Sequence, residues 1–341
     1  MIVPVLNEAR HIQRTIESLL EQDASPLTLE LLLVDGGSLD GTREIIRRYA
    51  LAYPSVKLLE NPRHTTPVAL NIGLRAAQGE YVGILGAHAS YPPDYIRICW
   101  EEMKAHNAAG CSGCLLTLPA NQSLGARLAA WCMGHRLVSS GKSVRTQREG
   151  FANTIPFPVF LKQALIDAGG YDETLDRNQD NEMNGRLRAN GYRLYLTART
   201  QAAYYARPGI WSLLVHAYNT GKWNGWTVRR RRGGLSLYHF APLAFFVTTL
   251  AALTFVPLFT RRSGIFALLL FLPVVAHLFM GTFAAIETAI HEHNAGALLL
   301  PPVILAFHLA YGAGTAGGLL GPSSPRKPQS QVFAKSNRVR I

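Results

Sequence analysis

After Glu292 the chain holds no acidic residue, and in three long stretches, 240–260, 264–286 and 295–320, it holds no Asp, Glu, Lys or Arg at all. An uncharged run longer than about 18 residues meets the length of a helix that crosses a bilayer, and helices of a soluble core seldom stay uncharged on every side for so long. The C-terminal third is therefore excluded as an ordinary soluble domain and is expected to be a transmembrane region of about three helices. Cysteine is also scarce, with four residues, Cys99, Cys111, Cys114 and Cys132. The one C-x-x-C, at 111–114, lacks the second pair or the His-x3-His that zinc needs, so reduced thiols are expected. No secretory leader is expected either, because Met1 is followed almost at once by Asn-Glu-Ala-Arg at 7–10. The part of the chain ahead of the spans is expected to stay in the cytosol.

Charged residues make up only 16% of the 341, yet their balance is strongly basic, at +12. Such a surplus suits nucleic acid or an anionic membrane surface, and its placement decides between them. Arg229 to Arg232 form a run just before the apolar third, and Arg326, Lys327, Lys335, Arg338 and Arg340 occupy the tail. Lys and Arg beside apolar spans are retained on the cytoplasmic side and drawn to acidic headgroups, and no groove-reading motif accompanies them. Membrane lipids are the expected partner; nucleic acid is not. Topology stays open, since three full crossings from a cytoplasmic start put the basic tail outside. A re-entrant or interfacial first segment, anchored by Trp211, Trp223 and Trp226, relieves that conflict.

An apolar content of 48% excludes a mainly disordered chain. Up to about residue 205, short apolar runs alternate with helical patterns, which predicts an α/β domain with a mainly parallel sheet. Strands are expected at 2–6, 29–34 and 81–85, and helices where Ile12, Ile16, Leu19 and Leu20 recur and over 68–77.

Two motifs fall at strand ends, Val-Pro-Val-Leu-Asn-Glu at 3–8 and Val-Asp-Gly-Gly-Ser-Leu-Asp-Gly-Thr at 34–42. Open parallel sheets bind ligands beyond the carboxyl ends of their strands, so Asn7, Glu8 and Asp35 are expected at one crevice. Carboxylates there can take hydrogen bonds from a base edge or ribose hydroxyls, and Gly36 and Gly37 let the backbone pass close to a ligand. The alternative is that Asp35, Ser38 and Asp40 merely cap the helix that opens near Gly41.

With Asn61-Pro62, 69–74 (Ala-Leu-Asn-Ile-Gly-Leu), 79–82 (Gly-Glu-Tyr-Val), 169–173 (Gly-Gly-Tyr-Asp-Glu), 178–183 and 186–192 following in order, the sequence resembles glycosyltransferase family 2. Gly-Ala-His-Ala-Ser-Tyr-Pro at 86–92 and Arg-Asn-Gln-Asp-Asn-Glu-Met-Asn at 177–184 are similar to its succinoglycan-type glucosyltransferases of exopolysaccharide assembly. The resemblance implies a GT-A (nucleotide-diphospho-sugar transferase) domain over 1–205, an interfacial amphipathic connector over 206–236, the transmembrane region over 237–321 and a basic tail over 322–341. It also implies a membrane-bound inverting hexosyltransferase of the cytoplasmic (inner) membrane. The donor expected is a UDP-sugar, UDP-glucose in particular, and the acceptor a lipid-linked saccharide.

By the same resemblance Pro4, Asn7, Glu8, Asp35, Gly37, Asp40 and Asn71 hold the donor, and Asp180 is the base that takes the acceptor proton. Glu182, two residues on, orients the acceptor or an arginine; Gln179 stands where the family has Glu. The alternative for Asp180 is a carboxylate that opens a surface helix. The family's metal motif is Asp-x-Asp, or Asp-x-His in the exopolysaccharide branch, but here its first position is Gly86. Glycine offers no ligand, so His88 is the remaining candidate for Mg²⁺ or Mn²⁺, with Asp35 or Asp94 able to compensate. Against that, His88 only closes the strand end and the metal is weak or absent. Lys222 and the Arg229–Arg232 run are candidates for neutralising a diphosphate, or simply anchors at the headgroups. Two rival functions follow, a catalytically silent membrane scaffold and a polyprenol-phosphate sugar transferase.

Overall fold

The computed structural model describes residues 1–23, 25–87, 89–139, 145, 149–175, 177–229, 235, 237–259 and 264–321, the side chains of 256–270 set aside. His88, Arg230 to Arg232 and the basic tail beyond Gly321, all singled out above, lie outside the described residues. The chain forms two compact units, Met1–Leu115 with Arg148–Tyr204, and Leu116–Gln147 with Tyr205–Gly321.

The first unit opens with β1 (Ile2–Val5), α1 (Ile12–Leu20), β2 (Leu31–Asp35), α2 (Thr42–Ala52), β3 (Val56–Glu60) and α3 (Thr66–Ala76). The strands form a parallel sheet in the order β1-β2-β3, with Ile2 opposite Leu32 and Val34 opposite Leu59. β2 lies in the middle and all five of its residues are buried. A strand covered on both faces needs no alternation, which is why Leu-Leu-Leu-Val reads as a continuous apolar run. α1 buries Ile12, Ile16 and Leu19, one stripe at helical spacing, and leaves its charged residues outside.

The same unit continues with β4 (Tyr81–Gly83), β5 (Ala89–Ser90), α4 (Tyr95–Ala105) and β6 (Gly110–Leu118). After α5 (Leu124–Gly134), which belongs to the second unit, come β7 (Gly150–Phe151), β8 (Val159–Leu161), α6 (Lys162–Asp167), α7 (Gln179–Ala189) and β9 (Leu194–Tyr205). A second sheet runs β4-β8-β6-β9-β5, with β7 also on β9. Its β4–β8, β6–β8, β5–β9 and β7–β9 pairs are antiparallel. The expectation of a mainly parallel sheet thus describes the first three strands and the parallel bridge Ile2–Ile84, but not this half. Hydrophobic period identifies a strand and says nothing of the direction of its partner. Ile2, Leu32, Val34, Leu70, Leu74, Val82, Phe160, Leu187 and Leu196 share one buried cluster.

The second unit contains α5, α8 (Ile210–Arg229), α9 (Ala241–Phe259), α10 (Gly264–His291) and α11 (Leu300–Leu320), with short 3-10 turns ahead of α9 and α11. Three segments, Leu237–Phe255, Phe271–His291 and Ala295–Leu320, are long and apolar enough to cross a membrane. α8 is polar enough to fall outside that class, yet it runs parallel to α11 at the closest approach. A Cβ at Gly314 would sit 2.0 Å from the Tyr218 carbonyl, one at Gly318 2.1 Å from that of Lys222, and one at Gly221 2.0 Å from that of Tyr311. Small residues four apart on both helices let the backbones meet, as in helix pairs packed in lipid. The side chains of Trp211, Val215, Tyr218 and Lys222 on α8 are exposed. Trp211 is 78% exposed while Trp226 is buried against the unit, so the expected tryptophan anchors part company.

Candidate active site

The loops after β1 and β2 are laced together by their own polar side chains. Asn7, at φ +56°, donates its N–H to Ser38 Oγ (2.8 Å), and its side-chain oxygen accepts from the Leu39 N–H (2.9 Å). The Glu8 N–H donates to Thr42 Oγ1 (2.8 Å), and the Ala9 N–H to Asp40 Oδ2 (3.0 Å). Asp40 also accepts from the Thr42 hydroxyl (2.5 Å) and N–H (3.1 Å), which closes the first turn of α2. Burial alone would raise the Asp40 pKa, but these hydrogen bonds together hold it below the ordinary carboxylate range. Pro4 pairs with Val34 one strand over.

Asp35 is 2% exposed and is turned into its own loop. Its carboxylate accepts from the Gly37 N–H (3.0 Å), the Ser38 N–H (3.1 Å) and the Ser38 hydroxyl (2.5 Å), and Arg43 Nε stands 3.5 Å away. Arg43 also reaches Glu60. Gly37 has φ +83°, and the ring of His64 lies 3.0 Å from where its Cβ would be. His64 Nδ1 donates to the Gly36 carbonyl, which can only accept, so this ring is pinned over the β2 loop. Of the three residues in the capping reading only Asp40 bonds the first turn of α2, whose N-cap is Gly41; Asp35 and Ser38 close their own loop and shape the ledge beyond the strand ends.

A second set of contacts joins α3 and Arg63 to the 171–173 segment across about a hundred residues of sequence. Asn71, buried in α3, donates its amide N–H groups to the Tyr171 carbonyl (2.9 Å) and Glu173 Oε1 (3.0 Å), while its oxygen accepts from the Tyr171 N–H (2.8 Å). Glu173 is also paired with Arg63, just past β3, at 2.6 Å. The polar atoms of Asn71, one of the expected donor contacts, are thus committed to the protein. Arg43, Arg63, His64 and Glu173 were given no role from sequence, because a lone Arg or His after a strand carries no spacing signal.

Asp180 lies exposed in the first turn of α7, following Asn178 at φ +61°. Its carboxylate accepts from the Asn181 N–H (2.8 Å), and its charge, second to burial, pushes the Tyr171 phenol up. Tyr171 is the residue that Asn71 holds, so Asp180 stands within electrostatic reach of the clamp. Glu182 is a different kind of group, 3% exposed and bonded through both oxygens to Arg186 at 2.7 Å. Arg186 in turn reaches the Ala168 carbonyl. Of the two alternatives for Glu182, the geometry favours the arginine partner.

Position 86, the first of the expected metal motif, offers no ligand, and His88 lies outside the described residues. Gly86 donates its N–H to the Tyr91 hydroxyl (2.7 Å), and a Cβ there would lie 2.7 Å from Phe157 Cε1. Asp35 is occupied as above, and Asp94 heads α4 without capping it. Among the described residues no group of three or more His, Cys, Asp or Glu side chains is gathered to hold a cation. Among the described residues Gly86, Asp35 and Asp94 thus build no cation site, and no chemical step is routed through one. Cys99, Cys111 and Cys132 are buried free thiols, and Cys111 and Cys114 share strand β6 three residues apart, hence on opposite faces. In the second unit Arg207 bonds His216 (3.1 Å), and Lys222 is exposed on α8.

The sequence model described as Glycosyl transferase family 2 matches residues 1–130. The succinoglycan biosynthesis protein ExoA of Rhizobium meliloti is 32% identical over 247 residues, covering 72% of this chain and 74% of its own. A Methanococcus voltae protein, the dolichyl N-acetyl-alpha-D-glucosaminyl phosphate 3-beta-D-2,3-diacetamido-2,3-dideoxy-beta-D-glucuronosyltransferase, is 25% identical over 339 residues, 96% of this chain and 98% of its own. Among solved structures, the mannosyltransferase PcManGT of Pyrobaculum calidifontis, in complex with GDP-Man and Mn²⁺, superposes with a TM-score of 0.59 at 20% identity, over 94% of this chain and 86% of that one. With the α/β unit carrying the GT-A fold and its motifs in family order, the chain belongs to glycosyltransferase family 2 and is a glycosyltransferase.

Proposed function

We propose that this enzyme moves a sugar from a nucleotide diphosphate donor to a lipid-linked saccharide at the cytoplasmic face of a membrane, by single displacement with inversion. The observation that carries the reading is the clamp of Arg63 and Asn71 on the 171–173 segment. Those bonds join α3 and the residue just past β3 to the segment that precedes α7, which supports reading the strand-end loops of Asn7, Glu8, Asp35, Gly37 and Asp40 and the exposed Asp180 as one site. A single exposed carboxylate suits a base that takes the acceptor proton as the oxygen attacks the sugar carbon. Glu182 cannot serve as a second nucleophile while both its oxygens hold Arg186. Gln179, beside Asp180, has a buried amide oxygen with no hydrogen-bond partner, which a sugar hydroxyl would satisfy.

The donor class is supported by the GDP-Man bound to the fold neighbour, and the acceptor class by the dolichyl-linked substrate in the name of the Methanococcus relative. ExoA's role in succinoglycan biosynthesis supports an exopolysaccharide product, with UDP-glucose as the first donor to try. The three apolar helices support a membrane location, and the basic residues that flank them support a cytoplasmic catalytic unit. The test is turnover by full-length protein in membranes, over a panel of UDP- and GDP-sugars with lipid-linked saccharide or bare lipid phosphate as acceptor. Asp180→Asn is expected to reduce turnover at least a hundredfold while donor binding persists, in line with the loss of a general base. The product anomer, read by NMR, is expected to be inverted. Retention of configuration, or an Asp180→Asn variant as active as the parent, overturns the reading.

A further inference from the structure

The loop that follows β4 carries Gly86, the position at which the family resemblance implies a metal-binding carboxylate, and the space beside it is filled. Gly86 faces the edge of the Phe157 ring, with Cε1, Cζ and Cδ1 at 2.7, 3.5 and 3.6 Å from the site of a Cβ. Contacts under 3.0 Å are not tolerated by real Cβ atoms. Phe157 is not free to yield. Its backbone is at φ +46°, its carbonyl accepts from the Tyr95 hydroxyl (2.9 Å), and the next carbonyl, of Pro158, accepts from the Ile84 N–H (2.8 Å). The ring meets Tyr91 edge-on at 5.7 Å, Tyr91 packs on Tyr95 at 5.2 Å, and the Tyr91 hydroxyl takes the Gly86 N–H. A non-glycine residue held at positive φ is costly by about 1–3 kcal/mol and is retained where the surroundings impose it.

The geometry points to Phe157 as a specificity-determining residue of the donor site: its ring fills the volume that a ligand-bearing side chain at position 86 needs. The sugar diphosphate then binds without a cation bridged to that position. This inference rests on reading the crevice as the donor site.

Its test uses the full chain in detergent, with UDP and GDP as probes, each titrated with Mn²⁺ and with EDTA. The wild type is expected to keep its nucleotide affinity within threefold in EDTA. Gly86→Asp alone is expected to lower the melting temperature, and adding Phe157→Ala to restore it. The double variant is expected to bind Mn²⁺ in the presence of nucleotide at least tenfold more tightly than the wild type, read from the Mn²⁺ EPR signal. Gly86→Ala, with and without Phe157→Ala, reports the steric coupling without a new ligand. A double variant that binds Mn²⁺ no more tightly than the wild type overturns the inference alone, as does a Gly86→Ala variant whose melting temperature matches the parent. Failure of both nucleotides to bind under any condition overturns the donor-site reading and this inference with it.

Discussion

The two carboxylates at the start of α7 look interchangeable in sequence and have opposite physical situations. Asp180 is exposed, so replacing it costs little structure. Glu182 is buried against Arg186, and removing one partner of a buried ion pair leaves an uncompensated charge, worth about 3–5 kcal/mol. Thermal melts should therefore separate them, with Asp180→Asn inactive at near-parental stability and Glu182→Ala destabilised whatever its activity. Asp40 supplies a pH dependence. Its folded pKa lies below the ordinary value of about 3.9, so its hydrogen bonds stabilise the fold fully above that value and are lost as pH falls through the folded pKa. Below about pH 4 the parent is expected to lose stability more steeply than Asp40→Asn, a difference visible in melting temperature against pH.

Elements are held in register by a few side chains that no periodicity announces. Asn71→Ala deletes three hydrogen bonds and leaves the Tyr171 N–H and carbonyl unmet in a buried place, a penalty of about 1–3 kcal/mol for each such group. The expected result is at least a tenfold fall in turnover with a smaller change in donor affinity, since the clamp positions α7 rather than the ledge. Equal loss of both contradicts that assignment. The seam between α8 and α11 poses an opposite sign problem. Gly314→Ala gains about 1 kcal/mol of helix propensity, but its Cβ would lie 2.0 Å from the Tyr218 carbonyl. Overpacking of that size costs about 1–3 kcal/mol or more, so the net effect is destabilising, and Gly314→Leu more so. Melting of the detergent-solubilised protein checks both.

For the whole molecule, three long apolar helices predict that the full chain stays in the membrane pellet after alkaline and high-salt washes, because apolar spans do not depend on screened charge. Release by salt alone would mean that only the basic residues hold it there. Much of this architecture was legible in the linear chain. Runs without charge mark the spans, the buried stripe of α1 and the continuous apolar β2 mark the α/β unit, and the ordered motifs mark the family. These are local properties, set by hydrophobic period and by backbone groups that cannot go unsatisfied in lipid.

Pairing across distance was decided by tertiary structure. The antiparallel direction of β4–β8, the grouping of 116–147 with the later helices, and the joining of Arg63 and Asn71 to Glu173 all bring together residues far apart in sequence. So does the meeting of Gly86 with Phe157, which turns a missing ligand from an omission into a filled space. Composition and spacing specify what a segment can bury; which surface it buries against follows only when the whole chain has closed.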